Sequence, residues 1–533
     1  MSFSLTIIDW CICLFVLSMS VFVGLYLASK KQASADSSHF FLADRSLSWP
    51  FVGASLFATN IGAEHLVGLS GDAYRYGLSA GTVELTTVIC VGFALTFLYP
   101  FYIRNKVFTT PEFLEKRYHP AARALFSGLM LVISITTKMA FHLYAGALVL
   151  RGLTGWNVMT VVWIMGAVAA CVTIIGGFTA IAYTDSIQTG IIILGCSVMV
   201  FTGLHEVGGW HGLALRAPDA LHIHKSYDDV NYPFWGVILS AIYGGIFYWG
   251  VDQVNVQRVL GAKDIDHARW GGVFAIALKL LPVFIFALPG IIALALFPGG
   301  QSKMTFVTLL NQLLPTGVRG LVLAALLASL IGSTLSVMNS VATLTVRDFI
   351  VHLWPKTSER TQVLLGRVVI VLATVCGIVA AYAIYKTPDG LYKYLQTISI
   401  YLVMPVAPAI VFGVLSKRVT SIGALSSVLV GCALASVFVA DQLMGVQEGS
   451  KVFPWLHTKL TLNYTYRGLL GTILCIVVLY AVSLFTKQSD SETLEKLTVS
   501  WKINREGFRG LLDWRLHLVC LAAVTVAIYW ELW

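Results

Sequence analysis

The sequence predicts an all-α integral membrane protein with fourteen transmembrane helices. Charged residues make up only 12% of its 533 residues, whereas an ordinary soluble domain has roughly 25%. Hydrophobic residues make up 57%, and the mean hydropathy is +0.79. A soluble fold could not bury that much apolar surface. The composition therefore excludes a soluble enzyme, a nucleic-acid binder and a disordered scaffold.

Apolar runs long enough to cross a bilayer, about 20 residues each, recur along the whole chain. The shortest joint between two of them is the pair Gly176-Gly177. The fourteen predicted spans cover 5–29, 48–72, 77–103, 121–150, 157–176, 178–204, 233–257, 268–297, 318–346, 364–385, 391–415, 421–444, 467–486 and 512–531.

The distribution of Lys and Arg predicts how the chain is oriented. If the N-terminus is external, the cytoplasmic loops hold 23 of the 36 basic residues and the external loops hold 11. Because basic residues concentrate in cytoplasmic loops, we expect a multi-pass protein of the cell membrane with both termini external. The segment 487–511 mixes charged residues with Leu494 and Leu497 and is expected to be a cytoplasmic amphipathic linker.

Two spans carry signs of interruption near the middle of the bilayer. The second contains Asn60, Gly62, Glu64 and His65, and the seventh contains a glycine pair ending at Gly245. Unwound backbone at that depth must line a cavity, because lipid cannot satisfy its N–H and C=O groups. Two interrupted helices at matching depth, five spans apart, indicate an inverted-repeat transporter, although a glycine pair also permits close helix packing.

Ionisable side chains inside spans are costly, so each of them marks a candidate functional position. Glu84 lies in the third span, Asp185 in the sixth, and Lys279 near the centre of the eighth. A carboxylate, an ammonium, an imidazole and an amide together suit a neutral polyhydroxylated solute. Near the inner end of the seventh span, Asp252 and Arg258 can form an ion pair.

Other polar residues have simpler interpretations. Lys138 in the fourth span is expected to extend its ammonium towards the membrane surface. Ser329, Ser333 and Ser336 fall on one face of the ninth span. Their hydroxyls can cap carbonyls of their own helix, or they can face the broken second span and complete an oxygen cage for sodium.

The chain resembles the sodium/solute symporter family, in particular its sugar-transporting members, over about residues 5–531. The most specific segment is GGFTAIAYTDSIQ, residues 176–188, which is similar to the family's signature. Further matching segments are ATNIGAEHLVGLSG (58–71), YWGVDQVNVQR (248–258), LKL (278–280) and KRV (417–419). The resemblance implies a LeuT-type fold in a single transporter domain, 1–533. Its five-plus-five inverted repeat would occupy 48–204 and 233–415, with one helix before it and three after.

The resemblance also implies functional residues by position. The sugar site would be formed by Asn60, His65, Glu84, Tyr248, Trp249, Lys279 and Gln396, and Tyr248 would also be the inner gate. Sodium, the coupling ion, would be bound by backbone carbonyls of Ala58, Ile61 and Ser329 and by the Ser333 hydroxyl, with Asp185 and Ser336 nearby. No cofactor is implied.

Departures from the family pattern leave the details open. Gly332 and Leu335 stand where relatives carry hydroxyl side chains, so the number of sodium ions is open, and Gly245 replaces a polar residue of the sugar site. The predicted function is sodium-driven uptake of a hexose-like sugar by alternating access. The alternatives are another solute (an inositol, sialic acid or a monocarboxylate) and proton coupling through Asp185. An enzyme is not expected, because no nucleophile–base pair or metal spacing is present.

Overall fold

The protein is built from helices. A computed structural model describes residues 5–31, 37–62, 64–227, 229, 231–385, 400–401, 403–444, 464–488, 494–495, 497–499 and 509–533. Within these ranges every regular element is a helix, and the β pairing is limited to one isolated bridge between Leu47 and Ala262. The all-α prediction is therefore confirmed.

Within the described ranges, nine helices are long and apolar enough to cross a membrane. They are Ile7–Lys30, Glu64–Arg104, Pro120–Thr154, Val158–Val207, Ile265–Leu296, Val318–Leu353, Glu359–Tyr385, Ser421–Asp441 and Thr465–Leu484. A tenth crossing consists of Phe234–Gly250 and Gln253–Leu260, which are bent by 48°. Shorter helices include Ser37–Leu42, Trp49–Asn60, Thr110–Arg117, Gly209–Arg216, Thr305–Leu313, Ala407–Leu415 and Trp514–Glu531. The count of fourteen spans stays a prediction.

The helix Val158–Val207 contains a sharp break at the predicted joint. At 1.5 Å per residue, 50 residues would extend about 75 Å, far more than the roughly 30 Å hydrocarbon core. Gly177 has φ 55° and ψ −159°, which is non-helical, and a Cβ there would lie 2.8 Å from the ring of Phe40. The break divides the helix into two segments that match the predicted fifth and sixth spans.

Gly177→Ala is expected to destabilise the folded protein. Its backbone conformation is accessible essentially to glycine alone and costs other residues about 1–3 kcal/mol. Gly190→Ala is the matched control, because Gly190 is exposed in the same helix and a Cβ there would meet open space. Thermal unfolding in detergent should show a lower midpoint for Gly177→Ala only. Equal midpoints for the two variants would contradict the role of the break.

The second span is interrupted as the sequence predicts. The helix Trp49–Asn60 ends at Ile61, whose backbone is extended, with φ −83° and ψ 113°. A π-helix, Glu64–Leu69, then resumes the span and continues into Ser70–Tyr76. The break leaves backbone carbonyls of the preceding turn without helical partners inside the protein.

The break in the seventh span is not where the sequence predicted. The helix Phe234–Gly250 runs unbroken through Gly244 and Gly245 and ends at Val251. A Cβ at Gly245 would lie 2.5 Å from the Cys90 sulfur, so this glycine serves close helix packing. The chain bends where the Asp252 carboxylate accepts a hydrogen bond from Val254 N–H at 3.2 Å and caps the next helix.

The ninth predicted span lies at the centre of the bundle. Within the most apolar window of Val318–Leu353, 89% of residues are buried, against 22% for the peripheral helix Ile7–Lys30. It packs against Val158–Val207, and Trp49–Asn60 packs against Ile265–Lys279. This arrangement places the broken second span between the central helix and the helix that ends at Lys279.

The predicted linker 487–511 lies largely outside the described residues. Of its described part, Leu494 and Leu497 are buried, and Val499 N–H donates to the carbonyl of Val414 at 2.9 Å. The amphipathic interpretation of the whole segment stays a prediction.

Candidate functional site

A cavity of about 430 Å³ lies beside both interrupted spans. Its wall includes side chains from six of the crossings described above, and many of them are polar or charged. Gln396 lies outside the described residues. The other six residues that the sequence nominated for the solute all line this cavity: Asn60, His65, Glu84, Tyr248, Trp249 and Lys279.

Lys279 contacts both Glu84 and Asn60 in the cavity wall. Lys279 Nζ donates to the Glu84 carboxylate and to Asn60 Oδ1. Lys279 is 2% exposed and Glu84 is 9% exposed. Each charge would be costly to bury alone, and removing one partner of such a pair strands the other. The pair therefore presents a fixed donor and a fixed acceptor to anything in the cavity.

His65 extends this pair along the wall. Its Nε2 lies 3.2 Å from Glu84 Oε1, and its Nδ1 lies 3.7 Å from Glu64 Oε1. His142 Nε2 lies 3.9 Å from the same Glu64 oxygen. Acidic and basic groups thus alternate from His142 to Lys279, and both Glu64 and His142 line the cavity.

The sequence did not nominate Glu64 or His142 as solute residues. Glu64 was visible within the interrupted run, but His142 was missed. An imidazole inside the apolar run of the fourth predicted span was the available signal, because ionisable residues at that depth are functional candidates.

A cluster of oxygen atoms lies where the helix Trp49–Asn60 ends. The Ile61 carbonyl accepts hydrogen bonds from Ser329 Oγ at 2.8 Å and from Ser333 Oγ at 3.0 Å. Ser333 Oγ is also 2.8 Å from the Ser329 carbonyl. Ala58 lies in the last turn of this helix. In a continuous helix its carbonyl would accept a hydrogen bond from Gly62 N–H, but that N–H donates to His65 Nδ1 at 3.4 Å instead. Carbonyl and hydroxyl oxygens in this arrangement suit a hard monovalent cation.

Asp185 and Ser336 lie in an adjoining buried cluster. Asp185 Oδ2 accepts from Ser55 Oγ at 2.7 Å and from Thr59 Oγ1 at 3.4 Å. The prediction that Arg258 pairs with Asp252 is wrong. Arg258 Nη2 lies 3.6 Å from Asp185 Oδ2 and donates to Ser336 Oγ, because the bend at Asp252 turns Arg258 towards the central helix.

Asp252 pairs instead with Lys138, so the prediction that Lys138 reaches for the membrane surface is also wrong. Lys138 Nζ donates to Asp252 Oδ2 and lies 5.7 Å from the centre of the Tyr248 ring. Asp252 is 1% exposed, and a buried carboxylate without a cation is strongly unfavourable. Pairing with Asp252 therefore outweighs hydration of the Lys138 ammonium. The pair ties the fourth predicted span to the bend of the seventh, next to Tyr248.

Gly332 does not leave an open ligand position. A Cβ at residue 332 would lie 2.6 Å from Gln188 Oε1. The neighbouring Thr334 hydroxyl donates to the Leu330 carbonyl of its own helix at 2.8 Å. The space that a serine would need at position 332 is thus taken by the Gln188 amide.

A cavity whose wall includes charged side chains of membrane-crossing helices, with interrupted backbone beside it, is typical of a secondary transporter. The sequence matches the sodium:solute symporter family over residues 40–431, and the chain belongs to this family. Sodium is the coupling ion of the family, so the chain is a multi-pass, sodium-coupled symporter. This confirms the resemblance that the motifs indicated.

Individual relatives agree with this assignment. Sodium/myo-inositol cotransporter 2 of Bos taurus is 32% identical over 530 residues, covering 91% of this chain and 77% of the relative. Sodium/glucose cotransporter 1 of Ovis aries is 31% identical over 513 residues, covering 88% and 77%. A solved structure of a Na⁺-coupled sialic acid symporter in a substrate-bound, outward-open state superposes with a TM-score of 0.77 at 18% identity, covering 91% of this chain and 99% of that one. The fold is therefore of the predicted LeuT type.

Proposed function

We propose that the protein couples sodium entry to uptake of a neutral ring polyol, with a hexose-like sugar as the first candidate. The observation that carries this proposal is the group formed by Glu84, Lys279 and Asn60 in the wall of the cavity. A carboxylate accepts from solute hydroxyls and an ammonium donates to them, so a solute rich in hydroxyls satisfies both. Gln396 is proposed as a further contact of the same solute.

A cyclitol is the second candidate, because the Bos taurus relative carries myo-inositol in its name. The same groups suit a ring that bears hydroxyls and no net charge. A monocarboxylate or sialic acid fits less well, because Glu84 would repel the carboxylate of such a solute.

The test is uptake into proteoliposomes. A panel of labelled glucose, galactose, myo-inositol and sialic acid would be offered with an inward sodium gradient and, in parallel, an inward potassium gradient. Accumulation of a neutral polyol with sodium only is expected. Uptake that persists in choline and collapses with a protonophore would favour proton coupling through Asp185 instead, and no accumulation of any neutral polyol would overturn the proposal.

Sodium is proposed to bind the carbonyls of Ala58, Ile61 and Ser329 and the hydroxyl of Ser333, with Asp185 and Ser336 next to its route. These oxygens come from the break of the second span and from the central helix, so the ion would hold those two elements together. Sodium binding would thereby order the adjacent solute residues before the solute enters.

Alternating access is proposed to arise from rocking of one helix bundle against the other about this site. The chain is proposed to contain two inverted repeats, 48–204 and 233–415, and to have both termini external. A membrane potential of about 100 mV supplies about 2.3 kcal/mol per charge. Since 1.4 kcal/mol corresponds to tenfold, the potential alone would support about 50-fold accumulation at one-to-one coupling.

Tyr248 is proposed as the inner gate, with Lys138 and Asp252 as the ion pair that keeps it closed. Asp252→Asn removes the charge that holds Lys138 and should favour the inward-open state. The apparent affinity for external sodium should then fall about three- to tenfold, because part of the protein no longer presents the external site. Sodium titration of uptake at fixed solute measures this shift.

The control for the gate is the exchanged pair, Lys138→Asp with Asp252→Lys. It keeps both charges and should recover at least part of the sodium affinity that either single variant loses. A sodium titration that is the same for Asp252→Asn and the unmodified protein would contradict the gate.

A further inference from the structure

Two buried polar atoms at one end of the cavity lack a hydrogen-bond partner within the described part of the chain. They are Glu64 Oε2 and His142 Nδ1. His142 is 8% exposed, and both side chains line the cavity. Leaving such atoms unsatisfied is unfavourable, so most buried polar groups have partners. The two atoms themselves are covered, but because both side chains line the cavity, a rotation of either side chain would bring its unpaired atom to an occupant of the cavity.

The two residues lie at the opposite end of the alternating contacts from Lys279. Glu64 begins the π-helix after the break in the second span, and His142 lies in the helix Ala140–Thr154. Their closest approach is the 3.9 Å between His142 Nε2 and Glu64 Oε1, which exceeds a hydrogen-bond length. They consequently do not satisfy each other.

The chemistry of the two atoms selects a hydroxyl group. An ionised carboxylate oxygen only accepts, whereas a ring nitrogen of a neutral imidazole either donates or accepts. A hydroxyl has one donor and two acceptor positions and can serve both atoms. A ring ether oxygen has no hydrogen and cannot donate to Glu64.

We propose that Glu64 and His142 bind a second hydroxyl of the solute, on the ring edge remote from the hydroxyls held by Glu84 and Lys279. This inference rests on the proposed function, in which the solute is a neutral ring polyol. It adds that the protein recognises hydroxyls on two edges of the ring through two separate groups of residues. Specificity among polyols would then depend on the Glu64–His142 end as well as on the charge pair.

The experiment compares monodeoxy analogues of the transported polyol as competitors of its labelled form in proteoliposomes. For each analogue, the ratio of its inhibition constant to that of the parent polyol measures how much the missing hydroxyl contributes to binding affinity. In the unmodified protein, an analogue that lacks the remote hydroxyl should compete at least about tenfold less well, as expected for a hydrogen bond to a charged group.

His142→Phe and Glu64→Leu should each lower that ratio below about threefold, because the hydroxyl has then lost its partner. The ratios for analogues that lack hydroxyls at the Glu84 end should stay as they were. His142→Gln and Glu64→Gln keep hydrogen-bonding groups and should retain most of the discrimination. A residue with a merely structural role would weaken all competitors alike and leave the ratios unchanged.

The outcomes separate the two proposals. No sodium-driven uptake of any neutral polyol by the unmodified protein would overturn the proposed function. Uptake of a polyol, with ratios that are the same in the unmodified protein and in both apolar variants, would overturn the role of Glu64 and His142 only. If one apolar variant does not fold, the other provides the same comparison.

Discussion

Glu84→Gln is expected to reduce sodium-driven solute uptake at least tenfold. The amide has nearly the shape of the carboxylate, but it carries no charge, and one of its two oxygens is replaced by an NH2 group that cannot accept from Lys279 Nζ. The Lys279 ammonium then has no counter-ion in this group of three residues, although Asn60 Oδ1 can still accept from it. Hydrogen bonds to charged groups contribute about 1.5–3 kcal/mol, which corresponds to roughly 10- to 150-fold in affinity. Initial uptake rates over a range of solute concentrations measure the effect.

A loss of uptake must be separated from a loss of folding. Breaking a buried ion pair by changing one partner commonly costs about 3–5 kcal/mol of stability. The double variant Glu84→Gln with Lys279→Gln removes both charges, so it should fold better than the single variant while remaining inactive. Monodispersity and thermal unfolding in detergent report folding, and uptake reports binding.

Glu206→Gln is the matched control for the change of a carboxylate to an amide. Glu206 is exposed near the end of the helix Val158–Val207, away from the cavity. Its uptake should equal that of the unmodified protein. Folded Glu84→Gln protein with full uptake would remove Glu84 from the solute site.

The sequence predicted those parts of the site that stand out against an apolar background. The sequence indicates Lys279, Glu84 and Asn60 because polar side chains inside a membrane span are energetically unfavourable unless a partner or a function retains them. The break at Ile61 is visible for the same reason, since glycine and polar residues interrupt an apolar run. One linear sequence is enough to find such positions.

Partners across the bundle could not be predicted in the same way. Lys138 and Asp252 are 114 residues apart. Asp185 lies in the sixth predicted span, whereas Arg258 lies just beyond the end of the seventh. Which charge meets which depends on helix rotation and on where a helix bends. Proximity in sequence suggested that Asp252 pairs with Arg258. The bend at Val251, six residues after Gly245, separates these two side chains and gives each a different partner.

Helix boundaries show the same limit. A glycine pair has two physical uses, close packing and backbone bending, and the neighbouring helix decides between them. Gly245 packs beside Cys90, whereas Gly177 adopts a backbone conformation that other residues avoid. Composition alone does not distinguish these two glycines.

Ser333→Ala is expected to lower the apparent affinity for sodium about tenfold or more, with a smaller effect on the maximal rate. The Ser333 hydroxyl is the side-chain ligand in the proposed site, and it lies 3.0 Å from the Ile61 carbonyl. Losing one oxygen ligand of a cation removes an interaction comparable with a charge-assisted hydrogen bond, about 1.5–3 kcal/mol. Sodium titration of uptake at saturating solute gives the half-saturation concentration.

Thr334→Val is the matched control, because it removes a buried hydroxyl from the next residue of the same helix. That hydroxyl donates to the Leu330 carbonyl and has no place in the proposed sodium site. The sodium half-saturation concentration of Thr334→Val should stay within about twofold of that of the unmodified protein, because only a neutral hydrogen bond within one helix is lost. If Ser333→Ala titrates like Thr334→Val, the oxygen cluster at Ile61 does not bind the coupling ion.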